Sequence, residues 1–166
     1  MNKINRDYTI PAQATIGHVH LKVTNLERSL NFYCGLLGFE LMTTYGDDAA
    51  FISAGGYHHH IGLNTWYSKD TGPPSMNSSG LYHIAILYPS RKDLAQIYNR
   101  LRIAQYPITG ASDHGVSEAI YLSDPDANGI ELYRDRPKDQ WTYRQDDSLD
   151  MYTEPMDLKS LLKELE

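Results

Sequence analysis

The chain predicts an α+β fold in which two βαβββ modules, related by a pseudo-twofold, form an open, barrel-like cleft. Three observations carry this expectation. The order strand, helix, three strands is spelled out twice; each opening strand places a histidine six or seven residues ahead of a helix cap; and a stretch rich in Ser, Gly and Pro separates the two halves. At 166 residues the chain suffices for one well-buried core. The expected organisation is a single domain over 1–166, with modules at 14–67 and 81–135, a linker at 68–80, and a C-terminal extension with a short helix at 136–166.

In the first half, "IGHVHLKV" alternates. Val19, Leu21 and Val23 take one face and His18, His20 and Lys22 the other, as in a half-buried strand. "TNLERSLNFYCGLLGF" follows, where Thr24 and Glu27 fit a capping box and Leu26, Leu30, Tyr33, Cys34 and Leu37 recur at helical spacing until Gly35 and Gly38. Cys34, the only cysteine, reads as a packed thiol and excludes an internal disulfide. Three strand-like pieces close the half: "FELMTTY", "AAFISA" and "HHHIGLN", divided by "GDD" and "GG" turns.

The second half opens with the strand "LYHIAILY". Ser90 and Asp93 repeat the cap ahead of Leu94, Ile97, Tyr98 and Leu101. A short strand near "QYPIT", then "EAIYLS", the turn "DPDANG" and "IELYRD" complete it. Beyond it, "RPKDQWTYRQDDSLD" is polar with Trp141 as an anchor. Leu158, Leu161, Leu162 and Leu165 behind Pro155 form an amphipathic helix that caps the barrel or contacts a second copy.

The formal charge of −6, without a Lys/Arg cluster, offers no footprint for nucleic acid or anionic membrane. The opening "MNKINRDYTIPAQATIGHVHL" lacks the features of a signal peptide, and no later stretch has the apolar length of a membrane span. The expectation is a cytoplasmic protein.

Superimposing the halves makes His18 and His83 equivalent. Sliding "FIS" at 51–53 over "YLS" at 121–123 pairs Phe51 with Tyr121 and Ile61 with Glu131. If the related strands line one cleft, its four symmetry positions carry His, His, Glu and Ile. Two histidines and a carboxylate with open positions suit a non-haem Fe(II) centre, with Mn(II), Zn(II) or Ni(II) as other occupants. Pairing Ile61 with Glu131 also assigns the odd-numbered residues of "HHHIGLN" to the cleft, so His59 faces it while His58 and His60 turn away. His20 shares the face of His18 and either touches the site or faces solvent. Several of the 13 tyrosines, among them Tyr57, Tyr67 and Tyr82, fall near the cleft or linker, where they pack or sandwich a planar ligand.

"IGHVHLKV", "SLNFYCGLLGFEL", "GLYHIAI" and "YLSDPDANGIELY" resemble the vicinal oxygen chelate superfamily of glyoxalases, bleomycin- and fosfomycin-resistance proteins and extradiol dioxygenases, over roughly residues 14–135. The resemblance implies His18, His83 and Glu131 as ligands of a divalent metal. It extends to the catechol 2,3-dioxygenase branch through His59 in "HHIGL", Tyr121 ten residues before Glu131, and His114 in "DHGVSEAIY". That branch implies a small aromatic diol and dioxygen as substrates, His59 as proton acceptor and donor, and Tyr121 and His114 as hydrogen-bond donors to substrate oxygens; a homodimer is the expected assembly. Glyoxalase or lyase chemistry, thiol transfer to an electrophilic antibiotic, and non-enzymatic antibiotic binding are the other expectations within the superfamily.

Overall fold

The computed structural model describes residues 8–75 and 77–166. Residues 1–7 of the opening read for a leader, and Met76 of the linker, lie outside the described residues. Two sheets carry the fold. The first has the order β1-β4-β3-β2, from β1 (Val19–Lys22), β2 (Glu40–Tyr45), β3 (Ala49–Ser53) and β4 (Ile61–Asn64). The second has the order β5-β8-β7-β6-β9, from β5 (Ile84–Leu87), β6 (Gly110–Asp113), β7 (Ser117–Ser123), β8 (Gly129–Asp135) and β9 (Glu154–Pro155). β1 runs parallel to β4 and β5 parallel to β8, while the remaining pairings are antiparallel.

A helical connection follows the first strand of each module. In the first it is α1 (Leu26–Leu30) continued by a π-helical stretch, Asn31–Leu36, that ends at Gly38 with left-handed φ of 89°. In the second it is α2 (Arg91–Ile103), whose cap Ser90 accepts from the Asp93 N–H at 3.1 Å as expected. The cap of α1 departs from expectation. Asn25, not Thr24, accepts from the Arg28 N–H at 2.8 Å, because Thr24 turns its hydroxyl to Asp126 in the second module. With Asn25 as cap, His18 and His83 both precede their cap by seven residues.

One core joins the modules. Leu21, Ile52, Ile61 and Leu63 of the first sheet and Ile84, Ile120, Ile130 and Leu132 of the second belong to the same apolar cluster as Phe32, Tyr33, Leu94 and Leu101 of the helical segments. Arg100 of α2 donates from Nε to the Leu36 carbonyl at 2.6 Å, tying the helical segments together. Cys34 is a free, partly buried thiol against this core, and burial raises its pKa.

Three strands differ from the sequence expectation. β4 starts at Ile61, so His58, His59 and His60 lie ahead of it. "QYPIT" precedes β6, which covers Gly110–Asp113. A strand not foreseen, β9, adds the C-terminal extension to the β6 edge through Ser112–Pro155 and Asp113–Glu154. Past it, α3 (Leu158–Leu162) is capped by Asp157 and buries Leu161. Buried Glu118, 5% exposed, meets Arg91 at 2.9 Å and Arg134 at 2.6 Å, and Arg91 reaches Glu164 beyond α3 at 2.8 Å. Trp141 Nε1 donates to the Arg136 carbonyl at 2.9 Å, which anchors the polar stretch. Among the described residues no helix is long and apolar enough to cross a membrane.

Candidate functional site

Strand alternation sends Leu21, Ile61, Leu63, Ile84, Ile130 and Leu132 into the core, so their neighbours line the opposite faces of the two sheets. In the second module that face carries His83 Nε2 at 3.0 Å from Glu131 Oε2. Tyr121 stands directly across from Glu131 in the β7–β8 ladder, its hydroxyl 3.2 Å from Glu131 Oε1. His114, in the turn after β6, places Nε2 2.7 Å from the same hydroxyl. The four side chains form one connected polar group.

The C-terminal extension orients His114. Its Nδ1 lies 2.9 Å from the Tyr152 carbonyl, which can only accept, so Nδ1 carries a proton. With the imidazole neutral, Nε2 is an acceptor for the phenolic proton. Tyr121 has one proton to share between His114 and Glu131. Burial first, then the Glu131 charge and hydrogen bond, push the Tyr121 pKa up to about 12, which keeps the phenol protonated near neutrality. Tyr152 sits close because Gly115 has φ of 77° and no side chain; a Cβ there would fall 2.6 Å from the Tyr152 ring.

The first module presents histidines. The ring of His59 lies 4.4 Å from that of His18 and 5.1 Å from that of Phe51, so His59 does stand on the cleft face. Its pKa is lowered, by desolvation first and then by His18, His58, His20 and His60, which favours the neutral form. His58 Nδ1 is 2.7 Å from His59 Nδ1. His60 accepts at Nδ1 from the Ala54 N–H at 3.3 Å and lies 2.9 Å from the hydroxyl of buried Ser53, a side chain satisfied by its own surroundings.

The pairing of Ile61 with Glu131 is overturned by the strand registers. Tyr121 faces Glu131, ten residues on, whereas Phe51 faces Gly62, eleven residues on. The connection between β3 and β4 is one residue longer than its counterpart, and a one-residue slip reverses a strand's faces. Gly62 is therefore the counterpart of Glu131, and Ile61, 3% exposed, is core. The inference that odd numbering brings His59 to the cleft fails with it; His59 arrives there from the irregular segment before β4.

Glycines complete the geometry. A Cβ at Gly129 would lie 2.2 Å from the Tyr82 carbonyl and 3.0 Å from His83 Cβ, so only glycine lets β5 approach β8 where His83 meets Glu131. Tyr82 and Tyr67 are exposed and, with His20, Lys22 and Asn128, line a groove beneath the linker. Sequence reasoning missed Gly62, Gly129 and the Tyr152 carbonyl. Only the glycine before Glu131 in "ANGIEL" offered a signal.

The chemistry of His18, His83 and Glu131 fits a divalent cation, since neutral imidazole nitrogen and carboxylate oxygen are its usual donors. Their placement fits in part. His83 and Glu131 converge, while His18 stands on the other module, and among the described residues no three His, Cys, Asp or Glu side chains gather at one point.

Residues 15–132 match the model of the Glyoxalase/Bleomycin resistance protein/Dioxygenase superfamily. The chain is 42% identical over 149 residues to the catechol-2,3-dioxygenase of Bacillus subtilis (strain 168), covering 90% of this chain and 51% of that protein. It is 27% identical over 124 residues to biphenyl-2,3-diol 1,2-dioxygenase 2 of Rhodococcus globerulus, covering 75% of this chain and 64% of the relative. The chain thus spans about half the length of the first and under two thirds of the second. Its fold matches a solved glyoxalase/dioxygenase from Nostoc punctiforme with a TM-score of 0.64 at 17% identity, over 78% of this chain and 99% of that one. By residue match, relatives and fold together, the chain belongs to the Glyoxalase/Bleomycin resistance protein/Dioxygenase superfamily.

Proposed function

We propose that this chain is a metal-dependent extradiol dioxygenase that cleaves the ring of a small catecholic aromatic. The observation that carries the reading is the connected group His83, Glu131, Tyr121 and His114, in a chain 42% identical to a catechol-2,3-dioxygenase. His18, His83 and Glu131 are the ligands in this reading, with Fe(II) as the metal and Mn(II), Zn(II) or Ni(II) as substitutes. A homodimer is the assembly in this reading. A cytoplasmic setting agrees with the free thiol of Cys34.

When bound, the metal supplies a Lewis acid and a template for the two substrate oxygens. The residues supply the rest. His59, held neutral, accepts the proton of a substrate hydroxyl and keeps it available for a dioxygen-derived oxygen. Tyr121, protonated, donates to Glu131 or to a substrate oxygen that displaces that contact. His114, its Nδ1 proton committed to the Tyr152 carbonyl, offers Nε2 as the alternative acceptor of that one phenolic proton, so in this arrangement it positions Tyr121 instead of donating to a substrate oxygen as the resemblance implied. Oxygen uptake by protein loaded anaerobically with Fe(II) and given simple catechols tests the reading. Uptake coupled to a yellow ring-fission product is expected; loaded protein that consumes no oxygen overturns it.

A further inference from the structure

The consecutive histidines 58, 59 and 60 end in different surroundings. His60 is fixed by its backbone and its ring: its N–H donates to the Ile52 carbonyl at 2.9 Å, its carbonyl accepts from the Val19 N–H at 3.0 Å, and its Nδ1 accepts from the Ala54 N–H. The Tyr57 ring spans from His60, with centroids 4.9 Å apart, to His58, with centroids 4.0 Å apart. His58 is thereby held beside His59, their Nδ1 atoms 2.7 Å apart, while the His59 ring packs on His18 and Phe51.

Two neutral imidazoles joined through their Nδ1 atoms share one proton there, so one ring donates and the other accepts. The direction decides what His59 can do. If His58 donates, the His59 proton sits on Nε2 and neither of its nitrogens has a free lone pair. If His59 donates, its Nδ1 keeps the proton, and Nε2, which has no hydrogen-bond partner among the described residues, carries the lone pair that a base needs. We propose that His58 is a positioning residue for His59: it accepts the Nδ1–H and so fixes the ring in the tautomer whose Nε2 is basic. This rests on the reading of His59 as the base. When a substrate O–H bond breaks, its proton forms the Nε2–H bond and the electron pair stays on the substrate oxygen; the ring becomes an imidazolium whose Nδ1–H still rests on His58. His58 is exposed, so its own Nε2–H is met by water.

Heteronuclear NMR of the full chain, carrying nitrogen-labelled histidine in slightly alkaline buffer without added metal, reports which ring nitrogen of His59 holds the proton. The His59→Gln variant identifies its signals. The parent is compared with His58→Phe, which keeps a ring on Tyr57 but has no acceptor, and with His58→Asn, whose side-chain oxygen can replace Nδ1. The parent is expected to hold the proton on His59 Nδ1. In His58→Phe that preference should disappear, and with Fe(II) and catechol supplied kcat should fall by about three- to tenfold at unchanged KM, the population change that one hydrogen bond brings. His58→Asn should restore both. A parent with the proton on Nε2, or a His58→Phe variant with the parent's tautomer and kcat, would overturn the proposal. A parent with the proton on Nδ1 that consumes no oxygen would overturn the dioxygenase reading and the catalytic use of the bond, not the bond itself.

Discussion

Asp126 accepts two hydrogen bonds from Thr24, one from its N–H at 3.1 Å and one from its hydroxyl at 2.6 Å, across 102 residues of chain. The same carboxylate pairs with Arg28 and lies 3.4 Å from the Ser29 hydroxyl, while Asp124 beside it accepts from the Tyr33 hydroxyl at 2.9 Å. The turn that leads into β8 is thereby fastened to the start of α1. Asp126 is 6% exposed and Ser29 is fully buried, so the Ser29 hydroxyl has no ready replacement in water, whereas Arg28 is exposed and can be solvated.

Asp126→Ala leaves the Thr24 N–H and the Ser29 hydroxyl without their acceptor and Arg28 without its counter-charge. Because Arg28 is about half exposed and screened by solvent, the loss is set by the Thr24 and Ser29 donors, and stability should fall by about 1–2 kcal/mol. Urea unfolding checks this, and an unchanged midpoint would show that the fastening contributes nothing net.

Gly129→Ala replaces no candidate ligand, yet its Cβ meets the Tyr82 carbonyl and the Cβ of the candidate ligand His83. Moving β5 away separates His83 from Glu131, so metal affinity should drop by about tenfold with a stability loss of about 1–3 kcal/mol. Gly110→Ala is the control, because its Cβ finds only Tyr121 Cδ2 at 3.9 Å. Chelator competition and thermal melts of both variants separate the two cases.

His59→Ala should keep the metal and lose turnover, whereas His83→Ala should lose the metal; atomic emission and oxygen uptake on the same samples distinguish them. A pH profile adds a sign. The His59 pKa lies below the ordinary 6.5, so the neutral base is present at pH 7 and is lost as pH falls through that lowered value. Turnover in the parent should decline on that acid limb.

Tyr121→Phe removes the one proton shared between His114 and Glu131. Turnover should fall by about a hundredfold while the metal stays bound. Ultraviolet titration gives an independent check: the difference between parent and variant should stay flat where ordinary phenols ionise, at about pH 10, and develop only toward about 12.

Local pattern carried a great deal of this molecule. Alternation in "IGHVHLKV" and "LYHIAILY", the Ser90 cap and the doubled order of elements are properties of neighbouring residues, and each is legible because periodicity and capping act within a few positions. The side chains of Tyr121 and Glu131 could be named for the same reason, since β7 and β8 read clearly, and His83 directly precedes β5. The cap at Asn25 could not, because Thr24 was drawn off by a carboxylate in the other module.

By itself, then, the sequence determined the two modules, the equivalence of His18 and His83, and the types of donor available to the cleft. Tertiary structure alone decided that Gly62 rather than Ile61 answers Glu131, that the His20 ring covers that glycine, and that the Tyr152 carbonyl orients His114. The physical reason is common to all three. Register depends on the length of an irregular connection, and one residue more or less reverses which side chains face the cleft; a contact such as that between His114 and Tyr152 exists only after strands distant in the chain have paired.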